Sequence, residues 1–226
     1  ALSFGANAAE RMRIDSSGNV GIGTSSPTSP NDATTFVHIG NATNQDTSIV
    51  LQDAVEIWEI YNNDDLFFNF DTTNVLTMKR VTGEVTMPLQ PAFQVNPASV
   101  QSNIAVASNV TVVLGTEVFD VGANFASNTF TAPVTGKYQL NLVLYFNSLD
   151  TASDYYVTNI VTSNRTYTTA IDPGVFSSDP VYWVVTLCVL ADMDASDTAS
   201  VAVNQASGTV QTDIATSTKF SGYLAC

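Results

Sequence analysis

The sequence predicts an all-β protein in two parts, short strands over residues 1–90 and a β-sandwich over 91–226. Three observations carry that expectation. Val, Thr, Ile, Tyr and Phe dominate the ordered-looking segments, which alternate apolar and polar residues with the period of a half-buried strand. No segment reads as a helix. Between the two parts, "MPLQPAFQVNP" places Pro88, Pro91 and Pro97 close together, and prolines cannot donate to a sheet ladder. The boundary is expected near Pro91.

The first part opens on "ERMRIDSSGNVGIGTSSP", Glu10 to Pro27. Met12 and Ile14 alternate with Arg11, Arg13 and Asp15. Ser16-Ser17-Gly18-Asn19 supplies a turn, and Val20 and Ile22 form the return strand. Such a hairpin is marginal in water by itself. The motif returns as "LTMKRVTGEVTMP", with Gly18 matching Gly83, Val20 matching Val85, Ile22 matching Met87 and one residue inserted. Two copies are too few for a solenoid, so the expected packing partner is the same segment in another chain. "FVHIG", "SIVLQ", "EIWEIYNN" and "LFFNF" read as further short strands, with Trp58, Phe68 and Phe70 expected in a core between subunits.

The second part holds about ten longer strands. In "GKYQLNLVLYFN", Tyr138, Leu140, Leu142, Leu144 and Phe146 share one face, and Gln139, Asn141, Val143 and Tyr145 the other. Val181 to Ala191 is apolar on both faces, which predicts either a central strand or an outer face that meets another subunit. Within it, Cys188 reads as a small buried hydrophobe. With Cys226 as the second of two cysteines and no CxxC, no disulfide framework is expected, which suits a protein folded in a reducing cytoplasm or one indifferent to redox.

Composition excludes several function classes. Hydrophobic residues make up 45% and charged ones 12%, which rules out a disordered tail. Seven Lys+Arg against 21 Asp+Glu give a net charge of −14 with no basic cluster, so nucleic acid is not an expected partner. No apolar run approaches the about 18 residues of a membrane span, so no membrane insertion is expected.

Groups suited to catalysis are few. The one histidine, His38, alternates with Val37 and Ile39 on a strand and reads as a hydrogen-bonded or solvent-facing residue. Phosphate loops, zinc spacings and nucleophile elbows are absent. Among the carboxylates, "DMDASD" (Asp192, Asp194, Asp197) begins like a calcium loop but lacks the glycine and closing glutamate; the reading preferred is a tight turn, with calcium as the alternative. No other cofactor is expected. The acidic loops "NSLDTASDYY" and "IDPGVFSSDP" offer a ligand surface. Tyr155, Tyr156 and Phe176 would stack on sugar rings while Asp154, Asp172 and Asp179 bond hydroxyls. The alternative is that these aromatics start strands or plug the sandwich edge.

"RMRIDSSGNVGIGTSSP" resembles a segment that recurs in bacteriophage tail fibres, usually obligate trimers. Residues 92–226 resemble the globular heads of complement component C-one-q and their tumour-necrosis-factor-like relatives. The pieces are "PAFQV", "TEVFDVGANFASNTFTAPVTGKYQLNL" with Asp120 before Phe125 and Phe130 before Gly136-Lys137-Tyr138, then "LDTASDYYVTNIV", "DMDASDTASVAV" and "KFSGYLA". Leu114, Leu140 and Leu142 replace aromatics of that signature, and the Phe125–Phe130 turn is two residues short. The resemblances imply a ten-stranded jelly-roll head on a trimeric fibre shaft. They also imply a non-enzymatic structural protein of a virion, assembled in the host cytoplasm. Its expected partners are two further copies, other fibre or tail proteins at the N-terminal end, and a host-surface glycan or protein. The alternatives are a capsid or tail decoration without a host ligand, and a glycan-cleaving tail protein.

Overall fold

The computed structural model describes residues 1–6, 9–28, 35–40 and 46–226. Among them no helix is long and apolar enough to cross a membrane. The chain divides into two compact units, Ala1–Pro88 and Leu89–Cys226.

The N-terminal unit holds two sheets. In the first, β1 (Leu2–Ala6), β2 (Ala9–Ile14), β3 (Val20–Ile22) and β4 (Val37–Ile39) lie in that order, antiparallel except for the parallel pair β3–β4. Register aligns Leu2, Ile14, Val20 and Val37 in one row and Phe4, Met12, Ile22 and Ile39 in the next, all on one face. Arg13, Gly21 and His38 occupy the reverse, where the His38 Nδ1 accepts the Thr28 N–H at 3.3 Å.

The second sheet is a meander of β5 (Thr47–Gln52), β6 (Ile57–Asn63), β7 (Asp65–Phe70), β8 (Thr73–Met78) and β9 (Val85–Thr86). Leu51, Trp58 and Phe70 form one cross-strand row, Ile49, Ile60, Phe68 and Leu76 a second, and Leu66, Met78 and Val85 a third. These rows share one face. The charged Glu59 and Asp65 lie on the other. Among the described residues of this unit no large hydrophobic side chain is buried; only Asn19, Gly21 and Thr77 are.

The repeated motif folds the same way twice. In β2–β3, Asp15 N–H donates to the Asn19 carbonyl at 2.9 Å; in β8–β9, Lys79 N–H donates to the Glu84 carbonyl at 2.8 Å. Gly18 (φ +87°) and Gly83 (φ +73°) take the left-handed conformation that each reversal needs. The braces differ. The Asp15 carboxylate accepts from the Asn19 amide and from the Asn19 and Ser17 N–H groups, the Asn19 amide foremost in holding its carboxyl below the usual range. The second turn is held by Asp65, which accepts from Lys79 Nζ at 2.7 Å and Arg80 N–H at 3.0 Å.

The C-terminal unit is a sandwich whose strands are β10 (Ala92–Asn96), β11 (Asn109–Thr111), β12 (Thr116–Val121), β13 (Phe125–Ala126), β14 (Thr129–Thr131), β15 (Gly136–Asn147), β16 (Tyr156–Thr162), β17 (Thr166–Ile171), β18 (Tyr182–Met193), β19 (Thr198–Gln205), β20 (Asp213–Ile214) and β21 (Lys219–Leu224). One antiparallel sheet runs β12-β10-β21-β15-β18 and the other β13-β14-β19-β16-β17; the short β20 pairs with β15 and the short β11 with β19. Successive strands cross from sheet to sheet, β14 to β15, β15 to β16, β17 to β18, β18 to β19, so the unit is a ten-stranded jelly roll with two short additions.

Its core is complete. Tyr138, Leu140, Leu142, Leu144 and Phe146 point inward from β15 as their alternation requires. Phe93 stacks on Phe130 (ring centroids 4.5 Å apart) and Phe125 (5.4 Å) and meets the edge of Phe220 (5.2 Å). Gly222 lies beneath this cluster: a Cβ there would come within 2.8 Å of Phe93. Ser127 and Asn128, both at positive φ, close the shortened Phe125–Phe130 hairpin in two residues.

Of the two readings left open for Val181–Ala191 one falls, and the expectation for Cys188 is corrected. β18 is an edge strand, not a central one. Cys188 is exposed rather than buried. It lies on the outer face with Tyr182, Val184, Thr186 and Leu190, all exposed; the other face, through Trp183, Val185, Leu187 and Val189, packs on the core.

Candidate functional site

Strand register sorts the loops of the jelly roll between its two ends. Asn147 pairs with Tyr182, and Tyr156 pairs with Gln205. Loops 148–155, 172–181 and 206–212 therefore share one end, together with segment 97–108, which bridges to Ile214 and Gln205. The other end holds Gly136, the 192–197 turn and the point where the chain joins this unit: Leu224 N–H donates to the Pro91 carbonyl at 3.0 Å and Lys137 N–H to the Cys226 carbonyl at 2.7 Å. Asp154, Tyr155, Tyr156, Asp172, Phe176 and Asp179 all belong to the end away from Pro91. Asp192, Asp194 and Asp197 belong to the end beside it.

The far end is braced by two aspartates. Asp150, 3% exposed, accepts from Ala152 N–H at 2.9 Å, from the Gln205 amide and from Thr209 N–H, so one buried carboxylate fixes loop 206–212 against loop 148–155. Asp179 accepts from the Thr151 hydroxyl and N–H and from the Gln211 amide at 2.8 Å, which joins all three loops. The Thr151 hydroxyl, then the Thr151 N–H and the Gln211 amide, hold its carboxyl below the usual range.

These contacts decide which candidates remain free. Tyr156 does not face outward: it is 1% exposed, and its hydroxyl lies 2.6 Å from Thr212 Oγ1 and accepts the Asp150 N–H at 3.0 Å. Burial pushes its phenol pKa up. Phe176 is half-buried, its ring edge-on to Trp183 with centroids 4.7 Å apart. Asp172 caps the single turn Pro173–Val175 through Gly174 N–H at 2.9 Å. Tyr155 is 48% exposed and stands next to the exposed Asp154, whose own N–H donates to Ser207 Oγ. Sequence reasoning missed Tyr182, 72% exposed at the start of β18. Its signal was its position directly after the loop ending Asp179-Pro180-Val181, at the strand's end rather than on its packed length.

Asp192, Asp194 and Asp197, the calcium candidates, sit in a turn where protein groups engage two of the carboxylates. Asp192 Oδ2 pairs with Arg165 Nη2 at 2.9 Å, and Asp197 Oδ2 accepts from Asn164 Nδ2 and Asp194 N–H, both at 2.8 Å. This is the hydrogen-bonding of a braced turn. Among the described residues no three Asp, Glu, His or Cys side chains converge as metal ligands.

No family model matches the sequence, and no curated protein matches it. Solved structures with a similar arrangement include the globular domain of zebrafish complement 1qA protein, 16% identical, covering 61% of this chain and 98% of that one with a TM-score of 0.44. Murine APRIL is a second, 13% identical, covering 60% of this chain and 98% of its own at a TM-score of 0.44. The jelly-roll order stands on the strand pairings themselves.

Proposed function

We propose that this chain is the distal part of a homotrimeric virion fibre whose jelly-roll head attaches to a host-surface glycan or protein. One observation carries the attachment reading. The loops at the end away from Pro91 are locked together by Asp150 and Asp179, while Tyr155, Asp154 and Tyr182 stay exposed at that end. Rigid loops presenting exposed tyrosines suit recognition, since an aromatic ring gives large contact area at little entropic cost. Three such heads held together would turn weak single-site binding into avidity. The tail-fibre-like Arg11–Pro27 segment supports the virion assignment, and the uncovered apolar surfaces support assembly with other copies.

The test has two stages. Light scattering at low micromolar concentration should give three times the 24.1 kDa chain mass; a folded monomer would overturn the fibre reading. The assembled protein should then bind whole bacterial cells from a host panel, and Y155A/Y182A should weaken binding at unchanged mass. Release of reducing ends from bound polysaccharide would favour a glycan-cleaving tail protein instead. Absence of binding to every cell and glycan tested would favour a decoration without a host ligand.

A further inference from the structure

We propose that the end of the head away from Pro91 is selective for charge: it takes an ammonium-bearing group at Asp154 and Tyr155, and it excludes acidic glycans and phosphates. The place of binding rests on the attachment reading above; the charge of the ligand rests on how this unit distributes its charged residues.

Segments 97–108, 148–155, 172–181 and 206–212 meet at this end and contain no Lys, Arg or His. They carry the exposed Asp154, Asp172 and Asp179. The cations of the C-terminal unit, Lys137, Arg165 and Lys219, all lie elsewhere. Lys137 pairs in register with Asp192, and Arg165 is ion-paired to Asp192, both at the end beside Pro91. Lys219 pairs with Val143, four residues along β15 from Asn147. At about 3.3 Å per residue its backbone is about 13 Å from the loops. The Debye length in physiological salt is shorter, about 8 Å.

An anionic ligand would meet carboxylates here and no counter-charge, so its desolvation would go uncompensated. A cationic group meets the reverse. Asp154 donates its N–H to Ser207 Oγ at 2.9 Å, while its carboxylate has no hydrogen bond or ion pair among the described residues. Next to it, the Tyr155 carbonyl accepts from Ser153 Oγ and from Ala206 N–H, both at 3.0 Å, which pins the backbone that carries the exposed ring. A free carboxylate and an aromatic ring on one fixed stretch of chain attract an ammonium by charge and by cation–π interaction. Asp172 adds a second open acceptor, since only its Oδ1 is taken, by Gly174 N–H. A neutral hydroxyl ligand would use the same acceptors and leave their charge unneutralised.

Three oligosaccharides test this by titration calorimetry on the assembled full-length protein: a chitosan oligomer with free amines, its fully N-acetylated counterpart, and an oligogalacturonate. The amine-bearing oligomer should bind severalfold more tightly than the acetylated one, and added salt should narrow the difference. The oligogalacturonate should not bind. D154N/D172N, which keeps the Gly174 cap, should weaken the amine-bearing oligomer severalfold. D192N/D194N removes the same charge at the other end and should leave its binding unchanged, which separates a site from the diffuse field of a chain of net charge −14. Equal binding of the free and acetylated oligomers, equal effects of the two double variants, binding of the oligogalacturonate, or no binding of any of the three would overturn this inference. The attachment reading would still stand if host cells bind and Y155A/Y182A weakens that binding. Amine binding that is lost in D154N/D172N, with no host cell bound, would support this inference and overturn the attachment reading.

Discussion

The two units of this chain use their apolar residues differently. Both contain antiparallel strands with strict alternation, and both set large side chains in register on one face. In the C-terminal unit the chain folds a second sheet over that face, and Phe93, Leu140, Leu142 and Phe220 become fully buried. In the N-terminal unit the same patterning yields two sheets whose apolar faces stay partly exposed, at Leu2, Phe4, Ile49, Leu51 and Trp58. Periodicity specifies which face wants burial. It does not specify what buries it, and that depends on whether the chain crosses over to build an opposing layer.

The sharpest way to break this contrast is Phe93→Ala. If the head owns its core, its unfolding free energy should fall by about 3–5 kcal/mol at every protein concentration, because the ring fills the space between Phe125, Phe130 and Phe220. Denaturant titration at two concentrations checks this. A loss that grows on dilution would mean that the head, too, depends on neighbours. Next in size is Asp150→Ala, which strips the acceptor from Ala152, Gln205 and Thr209; about 2–3 kcal/mol should be lost, read from the same titration.

The repeated hairpins allow a finer comparison. Gly18 and Gly83 have open space where a Cβ would go, so Gly→Ala at either is penalised by its positive φ alone. Each substitution should cost about 1 kcal/mol, read as faster hydrogen exchange in its own hairpin. Unequal costs would show that the different braces, Asp15 in one and Asp65 in the other, share the strain unequally.

The smallest effect is Asp179→Asn. The folded carboxyl titrates below its unfolded value near 3.9, so its contribution is full above that pH and is lost as pH falls through the lower folded value. The melting temperature of the native chain should exceed that of D179N by a constant margin at neutral pH. The margin should close in acid, below about pH 4.

Much of this was legible in the residues. The strict alternation of Tyr138 to Phe146 gave a strand and its inward face, and the Gly18/Gly83 repeat gave two equivalent turns. Other features were not. A strand apolar on both faces reads the same at a sheet's centre and at its edge, which is why Cys188 was misplaced. Tyr155 and Tyr156 are neighbours, so one had to face inward; only the pairing of Tyr156 with Gln205 and Ile171 decides which. The partners of Asp197 and Asp192, Asn164 and Arg165, come from a turn remote in sequence, so the Asp192–Asp197 spacing alone could not show them. Strand β1 passed unnoticed because in "LSFGA" only Leu2 and Phe4 carry the alternation, too few repeats to stand out.

Pro91 and Leu224 are hydrogen-bonded neighbours, with Cys226 bonded to Lys137 close by. A tag or second protein joined after Cys226 would therefore emerge beside the point where the chain joins the head, with the length of the sandwich between it and Tyr155 and Tyr182. The jelly roll can thus serve as a cassette, carried on an unrelated stem or itself carrying cargo, with its far loops left unobstructed.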